Sequence, residues 1–162
     1  MNENKSKYSC ADFSFPLLPH SKALQLIRLL GFDAVDLGIF EGRSHHYPSY
    51  IAKDTVKEGN RLAKELSTIG IQAADVFLQT GEEPPVAAAN NPDESVRANN
   101  RQLFLKTLDF TCTLGCNHIT GLPGVSHKGT SLADDWKRSC EETYWRIETA
   151  RANNVVYAIE PH

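Results

Sequence analysis

The sequence predicts an α/β fold on a parallel sheet, and three observations carry that prediction. Apolar stripes at helical spacing alternate with short runs rich in β-branched and aromatic residues. The helix stop signals Gly31, Gly70, Gly115 and Asn154 recur at a near-even interval, although no sequence motif repeats with them. Passing from helix to strand takes a residue or two, whereas passing from strand to helix takes a long loop, so the loops gather at the carboxyl ends of the strands. Strict alternation of this kind implies right-handed crossovers with helices packed on parallel strands.

The elements follow in order. K-Y-S-C-A-D-F-S-F, starting at Lys7, reads as a first strand. Ala23, Leu26, Ile27 and Leu30 stripe a first helix, with Ser21 as its candidate N-cap and Gly31 as its stop. A-V-D-L-G-I-F is the second strand. Leu62, Leu66 and Ile69 mark the second helix, with Ser49 as candidate N-cap and Gly70 as stop. Q-A-A-D-V-F-L-Q is the third strand, and Phe104, Leu108 and Cys112 stripe the third helix between Asp93 and Gly115. H-I-T-G-L-P-G is the fourth strand. The fourth helix carries Trp136, Cys140, Thr143, Ile147 and Ala150, opened by the S-x-x-D capping pattern of Ser131 and Asp134. V-V-Y-A-I-E closes the series as a fifth strand, giving five strands and four helices.

Composition bounds what this architecture serves. A chain of 162 residues falls in the one-domain range. Its 41% hydrophobic and 23% charged residues are ordinary for a soluble globular protein, and no apolar segment reaches the length of a membrane span. The first seven residues are polar and show no signal-peptide pattern, so a cytoplasmic location is expected, with residues 1–6 as a disordered lead and residues 7–162 as the domain. Cys10, Cys112, Cys116 and Cys140 are too scattered for a disulfide scaffold or a zinc site and read as ordinary thiols, with Cys112 and Cys116 on one helix face. The net charge of -3 and the lack of a Lys/Arg cluster argue against a nucleic-acid partner.

Two folds fit the alternation. A doubly wound five-stranded domain would be complete at about this length. Against it, the first strand-to-helix turn, F-S-F-P-L-L-P-H-S, has no glycine with which to cradle a phosphate, and no helix follows the fifth strand. The other fold is a (β/α)₈ barrel of TIM type, of which this chain would hold about five strands and four helices. Both put their sites at the carboxyl ends of the strands.

Candidate site residues follow from that geometry. Glu160 sits directly after an apolar run, where an unpaired buried carboxylate is costly and calls for a cation, a hydrogen-bond network or water. His45 and His46 follow the second strand, His127 the fourth, and His20 opens the first helix; His45 and His20 are the stronger candidates for substrate contact. Glu41 ends the second strand, as a substrate-binding group or an exposed loop carboxylate, while His162 projects on the face of Glu160 if the strand continues. His118 precedes its strand at the opposite end and reads as structural. Asp36 and Asp75 lie within strands, pointing to the interior or to a structural ion pair.

K-Y-S-C-A-D-F-S-F-P-L-L-P-H, G-F-D-A-V-D-L-G-I-F-E-G-R-S-H, A-D-V-F-L-Q, H-I-T-G-L-P-G and above all A-I-E-P-H resemble the xylose isomerase-like sugar phosphate isomerase/epimerase family. The resemblance runs from Lys7 onward and favours the TIM barrel, here as its front portion. It implies that Glu160 is a catalytic residue and a ligand of a divalent metal ion (Mn, Mg, Co or Zn), with the family's other ligands on strands six to eight. It further implies a sugar or polyol substrate and an isomerase or epimerase that moves a proton on carbon beside a carbonyl. The rivals are an inosose-type dehydratase, an abasic-site endonuclease, and a non-catalytic half-barrel that needs a partner chain or self-associates as a homo-oligomer through its open edges.

Overall fold

The computed structural model describes residues 8–161. Five parallel strands form one sheet: β1 (Ser9–Ala11), β2 (Ala34–Phe40), β3 (Gln72–Gln79), β4 (His118–Gly121) and β5 (Val156–Ile159). Their spatial order is their chain order, β1-β2-β3-β4-β5. Every crossover therefore steps in the same direction, and with right-handed connections this puts all the helices on one face of the sheet. A doubly wound sheet reverses its direction and clothes both faces. The strand order thus decides for barrel winding: the chain folds as a five-stranded segment of a barrel wall.

The helices are α1 (His20–Leu29), α2 (Pro48–Ile51), α3 (Thr55–Ile69), α4 (Glu94–Leu114) and α5 (Leu132–Arg151), with a 3-10 turn at Asp12–Ser14 directly after β1. The short α2 brings the α-helices to five where the sequence reading counts four. The N-caps differ in part as well. Asp93 and Ser131 cap α4 and α5 as expected, each side chain accepting from a backbone N–H of the first turn. Ser21 instead lies inside α1, which starts after Pro19, and Ser49 lies inside α2, so the cap of α3 is Asp54, which accepts from the Lys57 N–H. At the other ends, Gly31, Gly70, Gly115 and Asn154 all take positive φ, the left-handed geometry that stops a helix.

Alternation along the strands divides the sheet into two faces. Val35, Leu37, Ile39, Val76, Leu78 and Ile119 point to the helices and meet Leu24, Ile27, Leu62, Leu66, Phe104 and Leu108, forming the core. The opposite face carries Asp36, Gly38, Phe40, Asp75, Phe77, His118 and Thr120, the positions that line the inside of a barrel. The β2–β3 register shifts between Val35 and Asp36, and the shift sets Asp36 beside Asp75. Gly38 keeps room for Phe13: a Cβ at that position would come within 2.5 Å of the Phe13 ring. Gly38→Ala is expected to destabilise the fold by about 1–3 kcal/mol through overpacking, read as a lowered denaturation midpoint with an unchanged slope.

One stripe is turned the other way. Trp136 is 71% exposed on α5, Cys140 is exposed and Ile147 faces outward, so of the expected apolar stripe only Ala150 is fully buried. The buried side of α5 is Asp135, Glu142, Arg146 and Ala150. Glu142, 2% exposed, accepts from Arg101 through both carboxylate oxygens (2.6 and 3.1 Å) and from Arg146 at 2.8 Å, and Arg146 donates to Asn100 at 2.8 Å. An ion-pair network joins α5 to α4 beside the edge-on contact of Trp145 with Phe104. Cys112 is also exposed on α4, whose inner face runs through Phe104, Leu108 and Thr111. Cys116 lies past the end of α4 and is buried, so the two thiols do not share a helix face, and all four cysteines are free.

Among the described residues, β1 and β5 each keep one unpaired edge. The expectation of a disordered lead over residues 1–6 lies outside the described residues. Among the described residues, no helix is long and apolar enough to cross a membrane.

Candidate functional site

The carboxyl ends of β1 and β2 bring together an aspartate and three histidines. β1 stops at Ala11, and the 3-10 turn folds Asp12 inward until it is fully buried. Its Oδ1 accepts from the Gly38 N–H of β2 at 2.8 Å, which locks the carboxylate against the sheet. Its Oδ2 lies 3.2 Å from His20 Nε2 at the start of α1, without the alignment of a hydrogen bond. On its other side, His20 Nδ1 is 3.1 Å from His46 Nε2. His45 lies over His20 with ring centroids 4.9 Å apart, and the His46 ring meets His20 edge-on at 4.5 Å. The loop holding both imidazoles is tied to β2: Ser44 Oγ donates to the His46 carbonyl and accepts from the Phe40 N–H, while His46 bridges to Ile39.

Burial, followed by the neighbouring charges of His20, Arg61 and His45, pushes the His46 pKa down to about 3, so His46 is neutral at physiological pH. Its folded pKa lies below the 6.5 of a free imidazole, so the unfolded chain takes up a proton that the folded chain refuses. This contribution to stability is present above pH 6.5 and is lost as the pH falls from there toward 3. Lowering the pH from 8 to 5 should cost about 2 kcal/mol through this group. Denaturant midpoints measured across that range, with His46→Asn flattening the slope, check it.

Around this cluster the mouth is apolar and then polar. Phe13, Phe40 and Phe77 pack with centroids 5.0 to 6.1 Å apart. Beyond them Asn90, almost fully buried, holds the β3–α4 and β4–α5 loops together, donating to the carbonyls of Val125 and Asp135 and accepting from the Val125 N–H. His127 belongs to this joint: its N–H donates to Asp135, and its Nε2 sits 3.3 Å from Asn90 Oδ1. The His127 N–H first, then Thr130 and Arg138, hold the Asp135 carboxyl below the usual range.

The remaining candidates are dispersed. Glu41 accepts from the backbone N–H and the hydroxyl of Ser49 at 3.1 and 2.6 Å, which spends its carboxylate on the start of α2. Glu160 follows β5, is exposed, and donates its N–H to the Gly121 carbonyl at 3.1 Å. His162 lies outside the described residues. His118 is at the amino end of β4, where its Nδ1 is 2.6 Å from Asp75 Oδ1, while Asp36 accepts from Ser9 at 2.8 Å. Burial first, then the nearby Asp75 charge, raises the Asp36 pKa against the lowering effect of Ser9. This second polar group occupies the end of the sheet opposite the loops. So does a cavity of about 1370 Å³, lined by Tyr8, Leu30, Phe32, Leu66, Gly70 and Gln72, where helices end and strands begin.

Asp12 is the residue that sequence reasoning passed over. It was read as part of the first strand, yet its signal matches that of Glu160: an acid directly after an apolar run at the loop end. As for a metal ion, Glu160 is a hard oxygen donor of the kind divalent cations accept. Among the described residues no group of three His, Cys, Asp or Glu is placed to hold one, so Glu160 stands as a single donor there.

Comparison with known proteins agrees with the winding. The family model described as a xylose isomerase-like TIM barrel matches residues 24–162. Among solved structures, a D-psicose 3-epimerase determined in the presence of D-fructose superposes with a TM-score of 0.68 at 16% identity, over 94% of this chain and 52% of that one. A family 2 AP endonuclease from Brucella melitensis gives 0.70 at 12% identity, over 96% and 55%. The IOLI protein with a bound zinc atom gives 0.69 at 16% identity, over 95% and 51%. The chain therefore spans about half the length of the structures it matches. No curated protein matches it.

Proposed function

The chain belongs to the xylose isomerase-like TIM barrel family, and from that premise we propose that it is part of an enzyme that isomerises or epimerises a sugar or sugar phosphate by moving a proton on carbon beside a carbonyl. The observation that supports this most is the composition of the loop end. A carboxylate follows β5, and a buried Asp12 with three imidazoles follows β1 and β2, on the face where barrels do their chemistry. Glu160 takes and returns the proton, and His20 and His45 contact the substrate, with Glu41 and His162 at the rim. A divalent cation (Mn, Mg, Co or Zn) with Glu160 as one ligand would polarise the carbonyl and its neighbouring hydroxyl. The other ligands of that cation come from outside the described residues. The structural neighbour solved with D-fructose and the one with a zinc atom favour a ketose and a metal ion. The reaction belongs in the cytoplasm.

The test is incubation of the protein, as its cells make it, with D-fructose and Mn²⁺, following the appearance of an epimer. Conversion that is abolished by a chelator and restored by the metal supports the reading. No conversion with any ketose or any of the four cations overturns it.

A second reading rests on a separate observation. Val156 and Ile159 on the open β5 edge, and Leu132, Trp136, Tyr144 and Ile147 on the outer side of α5, are exposed large apolar groups at one end of the sheet. They favour a domain that acts with a partner chain or a second copy covering that end. Sedimentation of the chain across a concentration series separates the readings: a concentration-independent monomer removes the second. The endonuclease reading has less support, because the net charge of -3 disfavours a nucleic-acid backbone.

A further inference from the structure

We infer that Asp12, His20 and His45 form a subsite for one hydroxyl group of the substrate, with His46 as the residue that holds His20 in place. The inference rests on the sugar reading above and deepens it. Three side-chain atoms in this cluster are sealed from solvent and lack an aligned hydrogen-bond partner: Asp12 Oδ2 and His20 Nε2, which lie 3.2 Å from each other, and His45 Nε2. Such groups are costly to leave unpaired, and native proteins keep few of them. Three on adjacent side chains at the loop end of a barrel-order sheet form a built polar site, not a packing fault.

The chemistry of the donors narrows the ligand. Asp12 Oδ1 is occupied by the Gly38 N–H, so only Oδ2 is free to accept. His46 is neutral and shares a single proton between its Nε2 and His20 Nδ1. If that proton sits on His46, His20 Nδ1 accepts the hydrogen bond and the N–H of His20 is on Nε2, 3.2 Å from Asp12 Oδ2. One free acceptor beside one free imidazole N–H suits a group that both donates and accepts. A hydroxyl does both; an anion would be repelled by the carboxylate, and an ammonium would have no use for the imidazole N–H. The His20 side chain is 13% exposed, and the half-buried His45 ring lies tilted over it. The phenylalanines at 13, 40 and 77 supply an apolar surface beside the subsite, the usual complement to a few fixed polar groups.

The experiment is a titration of the protein with D-fructose, read by nitrogen-detected NMR of the histidine side chains, with Asp12→Asn as the variant. Asn keeps the acceptor for Gly38 and removes the charge. The expected result is that D-fructose shifts the His20 and His45 signals and leaves His118, at the far end of β4, unmoved. Asp12→Asn should retain the fold and weaken binding by about tenfold or more, the worth of a hydrogen bond to a charged group. Unmoved His20 and His45 signals at saturating sugar, or wild-type affinity in Asp12→Asn, overturn the inference. If Asp12→Asn fails to fold, His45→Ala, at the half-buried ring, takes its place, read by the His20 signal and by the affinity for D-fructose. Catalysis is assayed separately, so binding without epimerisation would sink the proposed reaction and leave the subsite, whereas epimerisation with silent His20 and His45 would do the reverse.

Discussion

Glu160→Gln is expected to abolish sugar epimerisation in the protein as its cells make it, lowering turnover by roughly a thousandfold or more. Gln keeps the size of the side chain and its hydrogen-bond acceptor, so the backbone bond from Glu160 to Gly121 and the end of β5 remain. What it removes is the proton acceptor and the anionic ligand. The loss should therefore fall on kcat, with the melting temperature unchanged because the residue is exposed. Metal affinity measured on the variant separates the two roles: a site that still holds its cation and yet does not turn over assigns Glu160 to proton transfer.

The second large effect is on stability. Glu142→Ala leaves Arg146, itself 3% exposed, and Arg101 without their shared carboxylate. Removing one partner of a buried ion pair typically costs about 3–5 kcal/mol. For a chain of this size that corresponds to a fall in Tm of roughly 10 °C. Arg146 also lies over the rings of Phe104 and Trp145, and Asn100 ties it through Thr80 to the β3–α4 loop, so the damage should spread from α5 to the mouth. Glu142→Gln, which keeps the shape and one acceptor oxygen but loses the charge and the second acceptor, should cost less. Equal losses in the two variants would mean that packing, not charge, holds α5.

These two residues mark what the sequence made legible and what it did not. Glu160 stands out in the sequence because a carboxylate after an apolar run is costly if it is buried; in the structure it is exposed. Glu142 does not stand out, because a reading of helix faces by hydrophobicity assumes that the buried side is the apolar one. On α1, α3 and α4 that assumption holds, since Ile27, Leu62, Leu66, Phe104 and Leu108 face the sheet. On α5 the ions are inside, and Trp136, Tyr144 and Ile147 face out. The strand series was legible from its stop signals, four positive-φ residues that each end a helix one or two residues before a strand. Spatial order was not: alternation alone permits both barrel and doubly wound sheets, and the sequential β1 to β5 order settles it. At the site, His20 and His45 were visible as imidazoles on the loop end. Asp12 was hidden because β1 ends a residue before it and a 3-10 turn, which carries no periodic signature, carries it inward.

The proposed reaction is proton transfer on carbon beside a carbonyl at the loop end of this sheet. Its most direct test is solvent exchange: the protein is incubated with D-fructose and Mn²⁺ in deuterium oxide, and the sugar is examined by NMR for deuterium at carbon next to the carbonyl. The account predicts incorporation there that requires the cation and disappears in Glu160→Gln. A sugar that returns without deuterium, while the histidine signals confirm that it is bound, would contradict it.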